Sequence, residues 1–104
     1  MNAQLPTNAV PKGHSPTFTA DTLPAALQQE HALGPGHWGA LHVMEGTVCF
    51  VDLPRGVERT VHAPDNVIIA PEEPHRLRLL GPVTCQIHFF REAAENDAEG
   101  QDDG

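Results

Sequence analysis

Long apolar runs are missing from this 104-residue chain, and no segment approaches the roughly 20 consecutive apolar residues that a membrane-spanning helix needs. Basic residues are scarce too. The six Lys and Arg form no stripe that would neutralise a phosphate backbone, so nucleic acid is not expected as a partner. Only two cysteines occur, Cys49 and Cys85, and they are far apart. Each sits in an apolar alternating run and reads as a small buried hydrophobe rather than half of a disulfide. The opening segment, Met1 to Ser15, has no continuous apolar stretch, so a secretory signal is not expected and the cytoplasm is the expected location. Also absent are a phosphate-cradling glycine loop, a Gly-x-Ser-x-Gly elbow and a Cys-x-x-Cys pair.

What the chain does have in excess is acid, and the excess is local. The formal charge is -8, but Glu92, Glu95, Asp97, Glu99, Asp102 and Asp103 all follow Arg91. Without them eight acids stand against six bases, near -2. Such a tail is expected to be solvated and disordered. The size allows one hydrophobic core and therefore one domain. We expect a leader over 1–15, a folded domain over 16–91 and an acidic tail over 92–104.

Within the domain the apolar period changes once. Thr22 to His31 places Leu23 and Leu27 one turn apart, with Thr22 as a cap and Pro24 in the first turn, so a helix of two to three turns is expected before Gly34-Pro35-Gly36. From Trp38 the period is two. Short runs at 38–44, 47–53, 58–62, 66–70, 75–80 and 83–91 are rich in branched and aromatic residues and bounded by turn residues. Glu45-Gly46 reads as the turn of a hairpin between the first two. Six strands at spacings of about eight to twelve residues indicate an all-β antiparallel sandwich or barrel.

Seven histidines are the chemical feature, since neutral imidazole is a common ligand for zinc, nickel, copper and iron. His14 lies in the leader and His62 closes a strand, so both are expected to be solvated. His42 has the opposite parity from His37 and is not expected in a site with it. His31 ends the helix and His37 opens the first strand across the Gly34-Pro35-Gly36 bend. His75 follows a Pro-x-x-Pro turn, where a side chain can look into a barrel mouth. His88 shares a face with Gln86 and Phe90 on the last strand, which suggests an interior that is not wholly dry. Arg76 and Arg78 are expected outside if His75 and Leu77 face in.

Val43-Met44-Glu45-Gly46 resembles the turn after the first metal motif of cupins, and Ile68 through His75 resembles their second. Residues 18–91 more narrowly resemble the small TehB/YeaR-like cupins associated with tellurite resistance, a domain of unknown function that also occurs fused ahead of a methyltransferase. The matching pieces are Leu23-Pro24 with the helix ending at His31, Gly36-x-Trp38-Gly39, Glu45-Gly46, Pro71 through His75, and Phe89-Phe90-Arg91. The general cupin ligands are largely missing, because their positions fall on Ala32, Gly34 and Gly39. Only His75 keeps its place, and the customary glycine of the second motif is Glu72.

The resemblance implies a small antiparallel, jelly-roll-like cupin barrel with one short N-terminal helix. It also implies a site built on His31 and His75, to which His88 and, from this chain alone, His37 are added. Three or four such nitrogens would suit zinc, nickel or iron with a position open for water or substrate. The function expected on this basis is divalent-metal binding in the barrel mouth, in a stress or oxyanion (tellurite-type) detoxification setting. If the protein is an enzyme, a metal-dependent oxygenase or isomerase is expected. The alternatives are a ligand-binding or sensor module without turnover, and an interaction domain that forms a homodimer through its strand edges. Glu72 and Glu73 are expected in a solvated loop, with a role as base or outer ligand as the alternative.

Overall fold

The computed structural model describes residues 4–93. In chain order it contains β1 (Ala9–His14), β2 (Phe18–Thr19), α1 (Ala25–Gln28), β3 (His37–Asp52), β4 (Val57–His62), β5 (Asp65–Ile69) and β6 (His75–Glu92). Two of these are long, β3 at 16 residues and β6 at 18. They run antiparallel from His37↔Arg91 to Asp52↔His75 and form the spine on which every other strand is laid. On the far side of β3, β5 pairs with its first half and β4 with its second. On the far side of β6 lie β1 and β2.

The expected hairpin at Glu45-Gly46 is therefore not there. β3 continues through it, and the register with β6 shifts between Val43 and Glu45 and again between Gly46 and Val48. Gly81 and Pro82 mark the matching irregularity on β6. These bulges bend the spine, because an unpaired extra residue locally increases twist and curvature. As a result one apolar cluster draws on both halves: Leu41, Val43 and Ile87 from one side of the bend, Val48, Phe50 and Leu77 from the other. Leu41, Val48 and Val61 are fully buried, and each contributes on the order of 1.5–3 kcal/mol by leaving water.

The antiparallel all-β class is as expected, but the closed jelly-roll barrel is not. Among the described residues, β4 and β5 hydrogen-bond to β3, while β1 and β2 hydrogen-bond to β6. Nothing joins these two margins, so the sheet is open and the pairing does not carry the cupin designation. Two further differences have local causes. Ala9–His14 belongs to the expected leader yet pairs with β6, its bulge between Pro11 and Gly13 accommodating a proline that an edge strand tolerates. The helix is a single turn, since Thr22 Oγ1 accepts from the Thr19 amide and no side chain caps α1. His31 leaves the helical path to exchange backbone hydrogen bonds with His75. The acidic residues from Glu95 onward lie outside the described residues.

Candidate functional site

The pairing Asp52↔His75 puts the end of β3 beside the start of β6. Two turns meet there: Leu53–Gly56, between β3 and β4, and Pro71–Pro74, between β5 and β6. They frame the mouth of a cavity of about 370 Å³. Its walls are apolar, formed by Phe50, Val57, Val67, Ile69 and Pro74. Its polar lining is Asp52, Arg55, Arg59, Glu73 and His75.

Arg55 ties the two turns together. Its Nη1 donates to Glu73 Oε1 at 2.9 Å and its Nη2 to Oε2 at 3.1 Å, and Nη1 also reaches Asp52 Oδ2 at 3.2 Å. The hydrogen bonds from Arg55 hold the Glu73 carboxyl below the usual carboxylate range, and Glu73 and Asp52 in turn raise the guanidinium above its own. Arg59 donates to Asp65 at 2.9 Å. Each positive charge at the mouth thus has a carboxylate against it.

His75 is the buried polar residue of the site, 4% exposed. Its Nδ1 donates to the Glu73 carbonyl at 2.9 Å, which leaves Nε2 as the bare acceptor of the neutral ring. The ring stacks on Phe50 at a centroid distance of 5.5 Å and 17° between planes, and meets His31 edge-on at 4.2 Å. Burial pushes its pKa down, opposed by the Glu73 carbonyl and helped by His31. Because the fold favours the neutral ring, the unfolded chain takes up the proton first as pH falls. Stability from this source is complete above the ordinary imidazole pKa of about 6.5 and declines below it. We expect the urea midpoint to be lower at pH 5.5 than at 7.5, and the difference to shrink in His75→Gln. An equal midpoint at both pH values would contradict this.

The four expected ligands occupy three places. His31 and His75 are together. His88 lies on the opposite face of the sheet, because Cys85 and Ile87 fill the core side of β6. There its ring faces His42 at 4.5 Å and His14 at 5.4 Å, and its Nε2 bonds Gln86 Oε1. Partial burial, then His42 and His14, lower its pKa. His37 accepts from Lys12 Nζ at 2.9 Å. Among the described residues no group of three or more His, Cys, Asp or Glu is arranged to hold a metal ion. The expected metal function and the divalent cofactor are therefore corrected: the donors are split between two faces of one sheet.

Arg55, Phe50 and Asp52 escape the sequence reading. The available signal was the pair of proline turns, Pro54-Arg55-Gly56 and Pro71 through Pro74, but only the β3–β6 register shows that they adjoin. The two cysteines are free and buried, as expected. Arg78 is outside, paired with Glu58 at 2.7 Å. The indole of Trp38 donates to Glu92 at 2.8 Å.

Known proteins agree on the family. A curated relative, the probable S-adenosyl-L-methionine-dependent methyltransferase TehB of Haemophilus influenzae (strain 10810), is 30% identical over 81 residues, 72% of this chain and 28% of its own length. The chain thus spans less than a third of that relative. Among solved structures, a protein from Escherichia coli (strain K12) superposes with a TM-score of 0.81 at 22% identity, over 88% of this chain and 99% of that one. TehB from Haemophilus influenzae gives 0.71 at 26% identity, over 83% and 32%. KdgF from Halomonas sp. gives 0.53 at 14%, over 91% and 90%, a likeness of fold alone. The relative's name speaks of an organic cofactor, S-adenosylmethionine, where a metal was expected here. The carboxylates of this mouth that could face that cofactor's ribose diol and ammonium, Asp52 and Glu73, both accept from Arg55, so such a ligand would have to share them. Residues 13–87 match the family model described as a TehB-like domain, and the chain belongs to the TehB-like family.

Proposed function

We propose that this chain is a small-ligand-binding domain that holds its ligand at the mouth between β3, β4 and β5 and serves methyl transfer carried out elsewhere. The observation that carries this reading is the cavity of about 370 Å³, with apolar walls and His75 as its buried polar group. Binding sites for small molecules are of this kind, mostly apolar with a few placed polar groups, and of roughly 300–1,000 Å³. The methyltransferase relative matches this chain over 28% of its length, so its named activity has the rest of that protein to reside in. The two free cysteines support a reducing, cytoplasmic setting. No helix among the described residues is long and apolar enough to cross a membrane.

An amide-detected NMR titration with single-ring fragments tests the reading. We expect at least one fragment to bind with a Kd below about 1 mM, a weak affinity of roughly -4 kcal/mol. Its shifts should be confined to residues 50–57 and 67–75. Fragments that shift only the His42 and His88 face, or S-adenosylmethionine saturating the mouth at micromolar concentration, would overturn it.

A further inference from the structure

We propose that the mouth selects an uncharged molecule with a flat apolar body and one hydrogen-bond donor, a phenol or aromatic alcohol, whose hydroxyl donates to Nε2 of His75. The inference rests on the reading of this cavity as a ligand site, and adds the chemical class that the site accepts.

Three observations converge on that class. First, both guanidiniums at the mouth are already held by carboxylates. Arg55 forms a two-point contact with Glu73 and a further one with Asp52, and Arg59 is held by Asp65. A carboxylate ligand would have to displace Glu73 or Asp52 from Arg55 and then sit beside the carboxylate it displaced. An ammonium ligand would have to share Asp52 or Glu73 with Arg55. The anion gains no free countercharge and the cation competes with Arg55 for a carboxylate, whereas an uncharged donor meets neither cost.

Second, the polarity that remains is of one kind. The Nδ1 proton of His75 is committed to the Glu73 carbonyl at 2.9 Å, so the nitrogen the ring can offer a ligand is an acceptor. A ligand that only accepts would leave Nε2 without a partner, and leaving a buried polar group unpaired is how a site rejects an analogue lacking the matching group. Third, the lining is apolar and aromatic. Phe50 and His75 lie nearly parallel, 17° apart, while Val57, Val67 and Ile69 line the cavity around them. A rigid ring enters such a lining with little loss of conformational freedom, and the cavity of about 370 Å³ has room for one.

The test is a calorimetric and NMR comparison, at pH 7.5 on the full chain, of four ligands that share one body: 4-ethylphenol, 4-ethylanisole, 4-ethylbenzoate and 4-ethylbenzylamine. We expect 4-ethylphenol to bind at the mouth at least tenfold more tightly than the other three. In His75→Phe the phenol and the anisole should become equal. In His75→Gln, which restores an acceptor, part of the preference should return. Thermal melts establish that each variant is folded, and the ligand series on the unaltered protein stands without them. If the benzoate or the benzylamine binds tightest at the mouth, or the phenol and anisole bind equally in the unaltered protein, the proposed class is wrong and the ligand site remains. If none of the four binds while other fragments do, the class is again wrong. If no fragment of any kind shifts the mouth, the site itself is refuted.

Discussion

Gly46→Ala is expected to destabilise the domain by about 3–5 kcal/mol, a loss that a protein of ordinary stability barely survives. Two costs act together. Gly46 has φ +74°, where an L side chain costs on the order of 1–2 kcal/mol. A Cβ added there would also run into the carbonyl oxygen of Pro82 and come within 3.0 Å of Val83 Cα. These are backbone atoms of the paired strand, so no side-chain rotation relieves the collision. Gly46 also accepts the Ala63 amide at 3.0 Å, so a shift of its backbone would disturb the start of the β4–β5 turn. Gly56 provides the control, with φ +67° but nothing within 4 Å of an added Cβ. Gly56→Ala should cost only the conformational part, about 1 kcal/mol. Urea midpoints for the two variants make the comparison. Equal, mild losses would mean that the bend in β3 does not depend on glycine.

Leu41→Ala should cost about 3–4 kcal/mol, within the roughly 2–5 kcal/mol seen for buried leucine truncations. Leu41 is 0% exposed and stands in the middle of β3, opposite Val67 on β5 and Ile87 on β6. It is thus flanked by paired strands on both sides, and its neighbours are fixed by two hydrogen-bonded ladders. The void left by truncation can therefore collapse only partly. Leu80, 46% exposed at the irregularity in β6, should lose less than about 0.5 kcal/mol on the same substitution. Chemical denaturation with unchanged m-values would establish both figures. A loss below about 1 kcal/mol for Leu41→Ala would contradict the single-cluster core.

Much of this fold could be read before the structure was seen, because alternation is a local property. Leu41 and Val43 are buried in β3, and Leu77 in β6 is buried with Arg78 outside, as the period of two requires. The continuity of the strands was not readable. Glu45-Gly46 has the composition of a turn, and Gly46 does adopt a positive φ. Whether the chain reverses or bends there depends on the partner strand, whose own irregularity at Gly81-Pro82 lies 35 residues away in the sequence. The same dependence separated the histidines. Alternation places His88 and Gln86 on one face, but not which face is wet. Cys85 and Ile87, both buried, decide it. His75 was legible from its Pro-x-x-Pro turn, whereas Arg55 and Phe50 became visible only through the pairing of Asp52 with His75.

The most direct measurement is a crystal structure of the chain with the tightest-binding fragment from the titration. The account predicts the ligand between Phe50 and Val67, with a donor within ~3.2 Å of His75 Nε2 and the Arg55 contacts to Glu73 intact. A ligand bound on the His14, His42 and His88 face, with the mouth unchanged and empty, would contradict it.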